Sequence, residues 1–163
     1  MSEVREKPGG ISSDACQTVT PHLVCAGAAD AIDFYKRAFG AKENMRLAGA
    51  NGKVMHASIR IGNANIMLVD ELPEWGSLSP ITLGGSPVTI HLYVDDVDAF
   101  VKRAVEAGAI LRMPVQDMFW GDRYGAIEDP YGHKWSVATH LKDMSTSEIE
   151  EAMKKFVPSR DCA

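Results

Sequence analysis

The sequence has no long apolar run. Stretches such as residues 66–69 are a few residues long, far short of the roughly 20 that a membrane-spanning helix needs. It also lacks positive charge: 17 Lys and Arg stand against 22 Asp and Glu, a formal net charge of −5. Phosphate binding needs a basic patch, so neither nucleic acid nor a membrane is the expected partner. Cysteine is scarce. Cys16, Cys25 and Cys162 are odd in number and irregular in spacing, which argues against a disulfide framework and a zinc pattern. A buried Cys25 thiol and a cytoplasmic location are expected. The first ten residues offer no apolar core of a secretory signal. What is present is ordinary globular composition, 45% hydrophobic and 24% charged over 163 residues. That argues against disorder, collagen and coiled coil. It leaves open whether the chain is one unit or one unit used twice.

Apolar periodicity predicts the elements. Residues 19–25 read as a strand. Residues 30–39 read as a helix, with Ile32, Tyr35 and Phe39 at i, i+3 and i+7 and Gly40 placed to end it. Strands follow at about 43–47, 54–61 and 65–69. Residues 70–87, with Pro73, Pro80 and Pro87, read as an exposed connector. The pattern then restarts: a strand at 88–94, a helix at 97–107 behind the N-cap Asp96, and strands at about 110–115, 124–128 and 134–140. Ser145-Thr146-Ser147-Glu148 is a capping box opening a last short helix over 148–156.

Both halves therefore share the order strand, helix, strand, strand, strand, and short identities support a repeat. Thr20-Pro21-His22-Leu23 recurs in the second half as Thr89-Ile90-His91-Leu92. At the same offset, Ile66-Met67-Leu68 aligns with Trp135-Ser136-Val137. Phe34-Tyr35-Lys36-Arg37-Ala38 recurs as Phe100-Val101-Lys102-Arg103-Ala104, at a slightly shorter offset. That three-residue difference is assigned to the loop between strand and helix. The predicted fold class is α+β: two βαβββ modules forming a curved mixed sheet around a cleft, plus a C-terminal helix. The predicted divisions are a mobile polar lead-in (1–17), a first module (18–69), the connector (70–87), a second module (88–140), and a helix and tail (141–163). In a unit of this kind one sheet face is covered by the helix, and the equivalent residues His22 and His91 lie on the other, as do Met67 and Ser136.

Four segments carry a family resemblance: residues 31–41 (Ala-Ile-Asp-Phe-Tyr-Lys-Arg-Ala-Phe-Gly-Ala), 56–62 (His-Ala-Ser-Ile-Arg-Ile-Gly), 119–125 (Phe-Trp-Gly-Asp-Arg-Tyr-Gly) and 129–135 (Asp-Pro-Tyr-Gly-His-Lys-Trp). With them the chain resembles the vicinal oxygen chelate superfamily, which includes glyoxalases, bleomycin-resistance proteins and extradiol dioxygenases. It is most similar to the PhnB-like branch. The resemblance implies paired βαβββ modules, a homodimer, and in metal-dependent members a divalent ion held by first- and last-strand side chains. Carried over by position, those side chains are His22 and His91, then Met67 and Ser136. Where the metalloenzymes hold carboxylates, this chain holds a thioether and a hydroxyl, neither a good donor for Mg²⁺, Mn²⁺, Ni²⁺ or Zn²⁺. No carboxylate remains there to act as the base of a glyoxalase-type proton transfer.

Two functional readings follow. In the first, no cofactor is expected, and the protein binds a small aromatic or polar organic ligand in the cleft through His22, Met67, His91, Ser136, Trp120, Arg123 and Tyr124. In the second, His22 and His91 ligate a divalent metal for a lyase, isomerase or dioxygenase reaction. The residues leave open whether the chain is an enzyme. The cluster Phe119, Trp120, Arg123 and Tyr124 can wall a pocket and pair an anion, or can cap the hydrophobic core of a hairpin. Asp122 reads as a solvated or locally paired turn residue, and His56, His133 and His140 read as surface or structural histidines.

Overall fold

The structure is a computed structural model that describes residues 17–156. Nearly all of the expected lead-in, together with Cys16 and Cys162, lies outside the described residues. The chain divides into two compact units, with the boundary between Thr82 and Leu83.

The first unit runs β1 (His22–Cys25), α1 (Ala28–Phe39), β2 (Lys42–Ala48), β3 (Val54–Ile61) and β4 (Ala64–Asp70). Its sheet order is β1-β4-β3-β2, with β1 parallel to β4 and the other pairs antiparallel. α1 buries Ala31, Ile32, Phe34, Tyr35, Ala38 and Phe39. Opposite them Leu23, Cys25, Ala57, Ile59, Ile66 and Leu68 are buried. The start of α1 is held by a residue distant in sequence. Asp70 Oδ1 accepts from the Gly27 and Ala28 backbone N–H groups at 3.1 and 2.7 Å, and Oδ2 accepts from Val54 N–H at 2.7 Å. A carboxylate there satisfies open helix donors and complements the helix dipole.

The first strand is shorter than the sequence suggests. Val19 is 81% exposed, and β1 begins only after Pro21. Proline has no N–H to donate, so the ladder cannot run back through it. The segment after β4 also departs from expectation. It folds into a 3₁₀ turn (Pro73–Trp75) and the short helix α2 (Pro80–Leu83), with Leu72 and Ser79 buried. Glu71 ties it down, accepting from Ser79 N–H at 3.0 Å and Thr82 Oγ1 at 2.7 Å.

The second unit runs β5 (Thr89–Tyr93), α3 (Val97–Glu106), β6 (Ile110–Asp117), β7 (Asp122–Glu128) and β8 (Lys134–His140), then α4 (Thr146–Lys155). Its sheet order β5-β8-β7-β6 repeats the first, again with the outer strand β5 parallel to β8. Asp96 caps α3 by accepting from Ala99 N–H at 2.9 Å. Thr139, at the repeat position of Asp70, takes over the tertiary contact: its Oγ1 accepts from Val97 N–H at 2.9 Å. Six positions separate His22 from Ala28, and six separate His91 from Val97. The strand-to-helix loop therefore absorbs none of the three-residue difference. The matching Phe-X-Lys-Arg-Ala segments sit one helical turn apart relative to the two helix starts. The Ser145/Glu148 capping box is present, with Ser145 N–H donating to Glu148 Oε2 at 2.8 Å and Glu148 N–H to Ser145 Oγ at 3.3 Å.

Candidate functional site

Strand alternation assigns the residues of the second sheet to its two faces. Trp135, Val137 and Ile127 are buried on the α3 side. On the opposite face β5 supplies Thr89, His91 and Tyr93, and β8 supplies Lys134, Ser136 and Ala138. The same face of β7 carries Asp122, Tyr124, Ala126 and Glu128. There His91 Nδ1 and Ser136 Oγ are hydrogen-bonded at 2.7 Å, as the strand register His91↔Ser136 dictates. Around that pair the rings form a continuous group. His91 meets Tyr93 edge-on at 4.6 Å between centroids and lies nearly parallel to Tyr124 at 6.0 Å. Tyr124 in turn meets Trp120 edge-on at 5.6 Å.

Beneath one end of this group lies Asp122, only 5% exposed. Its Oδ2 accepts from Trp120 Nε1 at 3.1 Å and from the Tyr93 hydroxyl at 3.4 Å. Its Oδ1 is 2.7 Å from His140 Nδ1, and His140 Nε2 reaches Asp143 at 2.9 Å. These two carboxylates hold the His140 imidazolium above its ordinary pKa, and the Asp122 charge pushes the Tyr93 phenol upward. So Asp122 is a buried anchor rather than a solvated turn residue, and His140 is its partner. The sequence alone reads Asp122 as solvated or locally paired and His140 as surface or structural, and it does not bring either, or Tyr93, beside the other rings. The available signal was alternation: Tyr93 stands two residues after His91 on the same strand face.

The loop that presents Trp120 is closed by Met118 N–H to Asp122 O at 2.8 Å and by Gly121 N–H to Met118 O at 3.1 Å. Gly121 has φ +99°, and its carbonyl accepts from both Leu141 and Lys142 N–H at 3.0 Å. A left-handed residue is therefore required where two chain segments cross. Phe119 meets Trp120 edge-on at 4.9 Å and packs on Phe156, just past α4, at 5.0 Å.

Arg123, expected among the ligand contacts, alternates to the α3 side. It is bound there by Asp98 at 2.6 and 2.8 Å and by Asp117 at 2.8 Å, which leaves its charge neutralised away from Tyr124. His133 is buried in the turn that Asp129 organises. Asp129 Oδ1 accepts from Tyr131 and His133 N–H at 2.9 and 3.0 Å, and Oδ2 accepts from Trp135 Nε1 at 2.8 Å.

In the first unit the face opposite α1 carries His22, Met67 and Ser58 in one row across the strands. His56 stands beside them, its ring 6.1 Å from that of His22. Burial, and then the neighbouring His56, hold His22 below its ordinary pKa. Each unit therefore pairs one expected histidine with one neutral donor, His22 with Met67 and His91 with Ser136. Among the described residues no three His, Cys, Asp or Glu side chains converge as a metal site. These donors do not fit a hard divalent ion, which needs carboxylate oxygens.

Fold, repeat and site chemistry together define a class, and the chain belongs to the glyoxalase/bleomycin resistance protein/dioxygenase superfamily, whose description matches residues 17–137. The chain is similar to the protein Rv0887c of Mycobacterium tuberculosis, at 47% identity over 138 residues, covering 83% of this chain and 81% of that one. Among solved structures it is similar to TioX from Micromonospora sp. ML1, with 26% identity, a TM-score of 0.59, and coverage of 79% of this chain and 100% of that one. A PhnB protein from Bacillus cereus shares the fold at 17% identity and a TM-score of 0.59, covering 76% of this chain and 99% of that one. No described helix is long and apolar enough to cross a membrane.

Proposed function

We propose that this protein binds a small aromatic or polar organic molecule on the face of the second sheet opposite α3, without a divalent metal. The observation that carries this reading is the ring group His91, Tyr93, Tyr124 and Trp120 around the Ser136 hydroxyl. Tyr93 is 67% exposed, although aromatic side chains usually bury most of their surface, so apolar area is available to a ligand. Flat rings stack on such groups, while a hydroxyl and an imidazole fix orientation through hydrogen bonds. Held by Asp122, Trp120 and Tyr93 are set in place before a ligand arrives, which lowers the entropy cost of binding. The first-unit face with His22 and Met67 belongs to the same reading as a second contact surface. The protein is a homodimer in this reading, which light scattering on a sizing column checks against the 17.7 kDa chain mass.

The test is calorimetric titration with a panel of single- and double-ring compounds. Wild-type protein binds members of the panel, and Tyr124→Ala and His91→Ala each weaken that binding by about tenfold or more, the order expected for loss of an aromatic contact plus its buried area. Binding that both variants leave unchanged, or a panel without any binder, counts against this face as the site.

A further inference from the structure

We propose that the ring face ends in an anion subsite built on Lys134, so that the ligand is an aromatic organic acid, its charged group a carboxylate or a phosphate monoester. The proposal rests on the reading above for the aromatic part of the ligand, and adds its charge. A cavity of about 540 Å³ opens on this face, within the range of roughly 300–1,000 Å³ typical of small-molecule sites. Of the ring group Tyr124 alone lines it, so the cavity adjoins the rings through Tyr124, and Gly85, Thr89, Arg112, Glu128 and Lys134 are among the other lining residues. That lining carries two cations and one carboxylate in a chain whose net charge is −5.

The charges are not equivalent. Glu128 is taken by Arg112, with Nε 3.0 Å and Nη2 2.9 Å from Oε2. Lys134 lies between Thr89 and Glu128 in the strand register, yet it forms no ion pair among the described residues. One ammonium is therefore left uncompensated at the cavity wall, with the exposed Thr89 hydroxyl beside it. An anion placed there gains a charge-assisted hydrogen bond from Lys134 and a neutral one from Thr89. Spacing sets the shape of the ligand. Thr89 and His91 are two residues apart on β5, as are Lys134 and Ser136 on β8, a rise of roughly 7 Å. The acid group therefore stands about that far from the ring that meets His91 and Tyr124.

Three probes of matching length test this: 4-phenylbutanoate, phenethyl phosphate, and the neutral 4-phenylbutanamide. At low salt at least one acid binds about tenfold more tightly than the amide, the gain expected of one charge-assisted hydrogen bond. Lys134→Ala removes that gap, weakening the acids more than the amide, and Lys134→Arg keeps it. Which acid binds better separates a carboxylate from a phosphate ligand. An amide that binds as tightly as both acids, or a gap that survives in Lys134→Ala, overturns the subsite and leaves the ring face standing. If none of the three binds and the Tyr124→Ala protein behaves identically, the ring face falls and the subsite with it.

Discussion

At the scale of single residues, Asp122 organises one end of the ring group. It holds Trp120 and Tyr93 from beneath and pairs with His140. The sign of the resulting pH effect follows from the raised pKa of His140. A group with a folded pKa above its unfolded value contributes stability fully below the unfolded value and loses it as pH rises through the folded one. The melting-temperature difference between wild type and His140→Gln is therefore largest near pH ~6 and shrinks toward pH ~9, since unfolded histidine titrates near 6.5. A difference that grows toward alkaline pH would contradict the pairing. Gly121 makes a second residue-scale prediction. A Cβ there would press on the Lys142 carbonyl oxygen, and φ is +99°. Gly121→Ala costs about 1–3 kcal/mol from backbone conformation before the clash is added. Urea unfolding measures that loss, and quenching of Trp120 fluorescence in a Trp75→Phe background, where the other tryptophan, Trp135, is buried, reports movement of the loop.

At the scale of elements, the two units begin their helices by the same tertiary device with different chemistry. Asp70 serves three buried or part-buried N–H groups at the start of α1 and β3, whereas Thr139 serves one at α3, where Asp96 caps locally. Asp70→Ala therefore destabilises by about 2–4 kcal/mol, since several donors lose their acceptor together. Thr139→Val costs about 1 kcal/mol, the typical worth of one such bond. Chemical denaturation of the two variants checks the order, and equal losses would mean that Asp70 is not the anchor of α1. Strands, helices and caps were largely legible because periodicity and capping are local. The ends of β1 and the folding of residues 71–83 were not. They depend on Pro21 closing a ladder and on Glu71 reaching Ser79 and Thr82, contacts that a pattern of hydrophobicity does not encode.

At the scale of the whole molecule, one βαβββ plan used twice places His22 with Met67 and His91 with Ser136, without a carboxylate at either pair of positions. Protein purified without chelator is expected to retain well under one equivalent of Zn²⁺, Ni²⁺ or Mn²⁺, because one imidazole with a thioether or hydroxyl binds such ions weakly. Elemental analysis checks this, and stoichiometric metal lost in a His22→Ala, His91→Ala double variant would overturn the metal-free reading. By itself the sequence determined the repeat, the family, and the equivalence of His22 with His91 and Met67 with Ser136. The repeat and the equivalences follow from periodicity and from identities at a nearly constant offset, and the family from the resemblance carried by four segments. Tertiary structure alone decided that Tyr93 and Asp122 meet Trp120 on one face, that Arg123 is held by Asp98 and Asp117 on the other, and that Lys134 forms no ion pair among the described residues. The physical reason is that strand alternation and register, rather than nearness along the chain, choose which side chains share a face. A one-residue step, as from Arg123 to Tyr124, moves a side chain to the other side of the sheet.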